Sequence, residues 1–158
     1  ADYNHVDQTL LPEHFRNYSE SYWKSRTMAP SSLLFYLGVD KPIKNLLHHT
    51  LFFDEDFNLH AKEIYRDPQW PTKPLLYTSA TSKTDNTAAP EGKENLVILI
   101  PVAPGLEDTD EIREKYFDLA IGRLEKFTGT QFKNDIIVNR SYAHRDFISD
   151  YHSFRGNA

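Results

Sequence analysis

Apolar residues along this chain fall into short, nearly unbroken runs and into longer stretches with helical spacing. The strongest run is 95–102, Asn-Leu-Val-Ile-Leu-Ile-Pro-Val, with five aliphatic residues in a row. Its length and β-branching predict a strand rather than a helix. A strand without a polar side is expected to be covered on both faces and to stand at the centre of its sheet. Pro101, which cannot donate a ladder hydrogen bond, is expected to mark where that strand leaves the sheet. Residues 31–39 form the second run, and Gly38 within it suggests a bulge or a close approach by another group. Further strands are predicted over 45–54, 75–81 and 135–142. The turn-rich segment 82–94 joins two of them without a helix, so that pair is expected to be antiparallel.

Helical spacing appears at Phe57, Ala61, Ile64 and Tyr65, and again from Asp108 to Gly129. In the second stretch Ile112, Tyr116, Leu119, Ala120, Leu124 and Phe127 make one stripe. Asp108 with Glu111 reads as a capping box, Gly129 as the C-terminal cap, and the acidic 107–114 segment as a solvated first turn. Asp2 and Ser19 are candidate caps of short helices near the start, and Pro12 separates them. Pro68, Pro71 and Pro74 place Trp70 in an irregular loop. After the last strand runs a tail rich in Tyr, Phe and His. The order predicts an α+β domain with a mainly antiparallel or mixed sheet of about five strands flanked by helices.

Composition narrows the class. The chain has 158 residues, which suits one domain, and 18 basic against 23 acidic residues give a net charge of −5. Nucleic acid is excluded as a partner, because phosphate backbones need clustered Lys and Arg. Cysteine is absent, which removes disulfides and thiolate metal sites and fits a reducing cytoplasm. No window is apolar enough to span a bilayer. Tyr and Phe are abundant for so polar a chain, and suit a core or the wall of an apolar pocket.

Chemistry-bearing motifs are scarce. His48 and His49 adjoin on a predicted strand, so their side chains should point to opposite faces and cannot share an ion. His60 and His144 stand at no metal-ligand spacing, and no metal site is expected. No nucleophile elbow, dinucleotide fingerprint or P-loop occurs.

Several segments are more specific than their periodicity. Ala-Asp-Tyr-Asn-His-Val at 1–6, Arg-Asn-Tyr-Ser-Glu-Ser-Tyr-Trp at 16–23 and Ala-Pro-Ser-Ser-Leu-Leu-Phe-Tyr-Leu-Gly at 29–38 are three. Leu-His-His-Thr-Leu-Phe-Phe at 47–53, Ala-Pro-Glu-Gly-Lys-Glu-Asn followed by the central run at 89–102, Arg-Asp-Phe at 145–147 and Phe-Arg-Gly-Asn-Ala at 154–158 continue the series. Together, and in this order, the chain resembles the middle-to-late part of the bacterial and fungal type phytoene desaturases. These are FAD-dependent carotenoid desaturases of the amine-oxidase-like flavoprotein group. The resemblance implies that 1–158 is a single substrate-binding domain, lying between flavin-binding N- and C-terminal portions that the chain lacks. It implies an oxidoreductase in the full-length protein, removing hydride and proton from a long polyene precursor to FAD, with the fragment alone inactive and without cofactor. It further implies an apolar, phytoene-like substrate, a cytoplasmic location peripheral to a membrane surface, and self-association through an exposed domain interface.

Within that frame Phe35 and Tyr36 alternate on their strand, so that one of them should face substrate. His48, His49, Arg140 and His144 are the other candidate substrate-binding residues. Arg155 and Gly156 are candidates for contact with the cofactor, Gly156 by permitting close backbone approach. No catalytic residue stands out. Two other readings fit the residues: a non-enzymatic apolar-ligand binding domain, and a related flavin oxidase of the amine or porphyrinogen type.

Overall fold

A computed structural model describes residues 2–158; Ala1, the first residue of the resembling segment 1–6, lies outside the described residues. The chain opens with α1 (Tyr3–His5), whose N-terminus is capped by the Asp2 carboxylate, and continues as a wider helical turn over Val6–Leu10. Pro12 ends that turn. Then α2 (Glu20–Ser25) begins where the Ser19 hydroxyl accepts from the Tyr22 N–H, as the sequence predicts. The strands are β1 (Ser31–Val39), β2 (His49–Phe52), β3 (Leu76–Ser79), β4 (Glu94–Val102) and β5 (Ile136–Tyr142). Between them lie α3 (Phe57–Tyr65) and α4 (Asp110–Thr128), and α5 (His144–Tyr151) follows β5.

The five strands form one sheet in the order β2-β3-β4-β1-β5, and every pairing is antiparallel. The predicted α+β class therefore holds, and β4 is the middle strand. β1 and β4 pair along their full length, from Ser31 opposite Val102 to Val39 opposite Glu94. The bulge predicted at Gly38 is present: the register with β5 shifts between Gly38 and Val39. A side chain there would also come within 3.2 Å of Val138, so both predicted reasons for glycine apply.

One face of the sheet carries the core. Leu33, Phe35, Leu37 and Val39 of β1 and Leu96, Ile98, Ile100 and Val102 of β4 are buried against Tyr116, Ala120, Ile121 and Leu124 of α4. Each such side chain contributes roughly 1.5–3 kcal/mol by leaving water. The opposite face is different. Along β4, burial alternates strictly, with Asn95, Val97, Leu99 and Pro101 only partly covered. The expected cover on both faces is thus wrong, because a five-residue aliphatic run cannot reveal that α4 covers one face along its length while α3 reaches the other only near Pro101.

Other expectations shift for local reasons. Pro101 does not end β4, which runs on to Val102. Its carbonyl accepts from His60 Nε2, on the side where β3 pairing has already stopped at Tyr77 opposite Leu99, so the missing N–H breaks no ladder bond. The N-cap of α4 is Thr109, whose hydroxyl accepts from the Ile112 N–H, and Gly129 closes the helix with φ 67°. Asp108, read as the cap in a solvated turn, is instead buried and bound by Arg113 through two hydrogen bonds of 2.7 and 2.6 Å. Arg113 also reaches Asp146 at 2.7 Å and Ser141 at 3.2 Å, tying α4 to α5 and β5. Burial alone would push the Asp108 carboxyl up, but the bonds from Arg113 and the Arg145 N–H bring it below its ordinary value. The aromatic tail opens with a helix: α5 starts where the Asp146 carboxylate accepts the Ala143 N–H at 2.8 Å.

Candidate functional site

The uncovered face of the sheet is a built surface with a definite register. Leu51 of β2 lies opposite Tyr77 of β3, Tyr77 opposite Leu99 of β4, Leu99 opposite Leu34 of β1, and Leu34 opposite Tyr142 of β5. These residues form one apolar row crossing all the strands, about 19 Å wide at the usual strand spacing of about 4.8 Å. The adjacent row is mixed: His49, Ser79, Val97, Tyr36 and Arg140 stand opposite one another in turn. Beyond it Val138 sits beside Gly38, where the absent side chain flattens the surface.

At the β2 end the apolar row opens into a cavity of about 260 Å³ between α3 and the ends of β2 and β3. Leu51 and Tyr77 belong to both the row and the cavity, and Phe53, Phe57, Ala61 and Ile64 complete its apolar wall. His60 fixes α3 there. Its Nε2–H donates to the Pro101 carbonyl at 2.8 Å, and its Nδ1 accepts from the Leu75 N–H at 3.0 Å. A carbonyl can only accept and an amide N–H only donate, so the ring is the neutral Nε2–H tautomer. Burial holds its pKa below the ordinary 6.5, although Pro101 and Glu63 oppose that. His60 is therefore a structural clip and no acid or base.

The sequence-predicted residues divide into three places. Tyr36, His49 and Arg140 come together in the mixed row of the uncovered face. Phe35 does not: it is 1% exposed, lies under α4 and meets Phe117 edge-on at 5.4 Å, so of the alternating pair only Tyr36, 42% exposed, faces outward. His48 lies just before β2, not on it, because that strand is shorter than predicted. The argument that His48 and His49 point apart is consequently overturned: their rings stack at 4.0 Å. Their Nδ1 atoms go to different partners at 2.7 Å, His48 to the Thr84 hydroxyl and His49 to the Tyr77 hydroxyl.

The third place is the C-terminal return. His144 is buried, with Nε2 on the Ala103 carbonyl at 2.8 Å and its ring against the edge of Trp70. Burial keeps its pKa below the ordinary value. Gly156, at φ 64°, lies so close that a methyl group would be 2.7 Å from His144 Cβ and 2.8 Å from its Cα. The close approach that the structure shows at this glycine is to His144. Arg155, also left-handed at φ 57°, donates to the Lys24 carbonyl at 3.2 Å and covers the Phe154 ring. Nearby, the Phe154 N–H donates to the Asp2 carboxylate and His5 stacks on His152 at 4.3 Å, so the first and last segments lie side by side.

Sequence reasoning missed Leu34, Leu51, Tyr77, Leu99 and the cavity wall. Tyr77 alternates within its predicted strand, but its position beside Leu51 and Leu99 depends on pairings distant in sequence. Among the described residues no group of three or more His, Asp or Glu is placed to hold a metal, and no helix is long and apolar enough to cross a membrane. Nor do the residues fit a dinucleotide. Glycine-rich phosphate turns are absent from the sequence, and the long helix α4 opens with Asp110 and Glu111, which repel phosphate.

Fold and surface together define an α+β module with one covered and one uncovered apolar sheet face. No protein-family model matches the chain. It is 40% identical over 158 residues to carotenoid 3,4-desaturase of Haloarcula japonica, which covers all of this chain and 32% of that protein. It is 31% identical over 165 residues to 4,4'-diaponeurosporene oxygenase of Staphylococcus haemolyticus, covering 99% of the chain and 33% of the relative. The Staphylococcus aureus USA300 protein of the same name is 34% identical over 131 residues, 81% of this chain and 26% of its own length. Over its whole length the chain is carotenoid-desaturase-like, and it spans about a quarter to a third of the length of these curated relatives.

Proposed function

We propose that this chain is the substrate-binding portion of an FAD-dependent carotenoid desaturase, an oxidoreductase that removes hydride and proton from a long polyene. The observation that carries this reading is the apolar row Leu51–Tyr77–Leu99–Leu34–Tyr142 on the uncovered face, in a chain similar throughout to carotenoid-modifying enzymes. A polyene has no charge to hold, so a protein can place it only by shape and apolar contact. A flat aliphatic and aromatic floor suits that task. FAD, the hydride acceptor, is held in this reading by flanking segments. The adjacency of Asp2 and Phe154 supports such an insertion, since both connections then leave from one place. A lipid-phase substrate also implies work at a membrane surface, reached without a spanning helix.

The test uses the full-length protein that carries this chain, loaded with FAD and given phytoene with an electron acceptor. A product with a longer conjugated system, seen by its red-shifted absorption, is the expected result. If the flavin-loaded protein leaves phytoene and more conjugated acyclic polyenes unchanged, the desaturase reading fails.

A further inference from the structure

We infer that the cavity between α3 and the β2 and β3 ends is an end pocket for the unfunctionalised hydrocarbon terminus of the polyene, with Ala61 setting how far that terminus enters. This rests on the polyene reading of the uncovered face and adds to it an orientation and a specificity. The first reason is position: Leu51 and Tyr77 are shared between the apolar row and the cavity, so a chain lying along the row runs into it.

The second reason is size. A whole small-molecule site occupies roughly 300–1,000 Å³. At about 260 Å³ this cavity is too small for that, and suits the end of something longer. Taking a water-sized group as about 30 Å³, it has room for roughly eight carbons, one to two isoprene units.

The third reason is chemistry. His60 spends both nitrogens, on Pro101 and Leu75. The Tyr77 hydroxyl is taken by His49 at 2.7 Å, and Tyr65 is 53% exposed to solvent. Every other side chain of the wall is Pro, Leu, Phe, Ala or Ile. A hydroxyl or carbonyl entering this cavity gives up part of its water against a wall that offers few hydrogen-bonding groups in return. That costs about 1–3 kcal/mol, so one polar end is rejected about tenfold or more. A hydrocarbon end loses nothing. The functionalised end of an asymmetric polyene must therefore lie away from α3, toward β1 and β5.

Two substitutions examine the pocket without disturbing the core. Ala61→Phe fills it from α3, and Leu51→Trp narrows its mouth from a side chain 63% exposed. Binding is followed in the full-length protein by quenching of tryptophan fluorescence, with lycopene and with lycopene hydroxylated at both ends as probes. The wild-type protein is expected to bind lycopene about tenfold more tightly than the dihydroxylated probe. Ala61→Phe and Leu51→Trp, at an unchanged melting temperature, should bring lycopene down to the affinity of the dihydroxylated probe. If both variants keep the wild-type affinity and preference, the end pocket is refuted while the polyene reading stands. If wild-type protein binds neither probe, the polyene reading falls and the end pocket with it.

Discussion

Beneath α4 the side chains of Leu33, Phe35, Ile98 and Ile100 are at most 1% exposed, while one residue further along the same two strands Tyr36 is 42% exposed and Val97 and Leu99 are half-covered. Both sets are apolar, and both sit on strands paired along their full length. What differs is the layer above them. α4 supplies Tyr116, Ala120, Ile121 and Leu124 to one face, whereas the other is met by α3 at its β2 end and by α5 at its β5 end, where Phe147 meets Tyr142 edge-on at 5.0 Å. A large uncovered apolar face on an otherwise polar domain marks a binding surface more often than a flaw in packing. The comparison therefore separates residues that hold the fold from residues available to a ligand.

The largest test sets Phe35 against its neighbour. Phe35→Ala should cost about 3–5 kcal/mol in denaturant unfolding, as expected for emptying a packed site. Tyr36→Ala should change stability by less than about 1 kcal/mol, yet weaken polyene binding in the full-length protein. Equal losses of stability at both positions would show that the second face is also packed, and would remove the basis for a ligand surface.

A loss of comparable size is expected on the covered side from Arg113→Ala. It leaves Asp108 buried with only the Arg145 backbone N–H and side chain for company, a cost of about 3–5 kcal/mol. Thermal unfolding of Arg113→Ala and of the double variant Arg113→Ala/Asp108→Asn checks this. The double variant should recover part of the loss, because it removes the stranded charge.

Gly156→Ala should cost less, about 1–3 kcal/mol, through the strained left-handed backbone and contact with His144. Because Ser31 at the start of β1 donates its hydroxyl to the Gly156 carbonyl, the effect should spread to that strand end. Hydrogen exchange that quickens near Ser31 and the start of α5 while β2 stays protected is the expected pattern.

The smallest effect is a pH dependence set by the two clipped histidines. His60 and His144 have pKa values lowered below 6.5 by burial, so the unfolded chain binds protons that the fold refuses. Their stabilising contribution is complete above about pH 6.5 and is lost as the pH falls through and below that value, down to the folded pKa values. Carboxylates lowered by pairing, Asp108 among them, act only further down, below their ordinary 3.8. Denaturation midpoints should therefore fall between about pH 7.5 and pH 5, and His60→Gln with His144→Gln should flatten that slope. A midpoint unchanged over this range would mean that the two rings are not held neutral.

Much of this molecule was legible in its sequence because much of it is local. The apolar runs at 31–39 and 95–102 specify extended chain whatever lies nearby. Asp2, Ser19 and Gly129 cap helices with atoms a few residues away. Gly38 was readable as a bulge because a glycine inside a strand pattern marks a bulge or a close approach, and Val138 does come close there. Alternation also fixed that Phe35 and Tyr36 must part company.

Tertiary structure alone decided which of them meets solvent. Nothing local distinguishes the Leu33–Phe35–Leu37 side of β1 from the Leu34–Tyr36 side; the choice follows from where α4, more than seventy residues later, comes to lie. The same holds for the row Leu51–Tyr77–Leu99–Leu34–Tyr142, whose members are neighbours only through register between distant strands. Asp108 looked like a solvated cap because Arg145, and the Asp146 that holds Arg113 over it, arrive with α5, a helix whose first turn depends on a carboxylate that Arg113 holds in place. Short-range physics determined which segments are strands and helices. Which apolar face is left open, and hence where a ligand can lie, is a property of long-range packing, because covering one face consumes the only long helix among the described residues, α4.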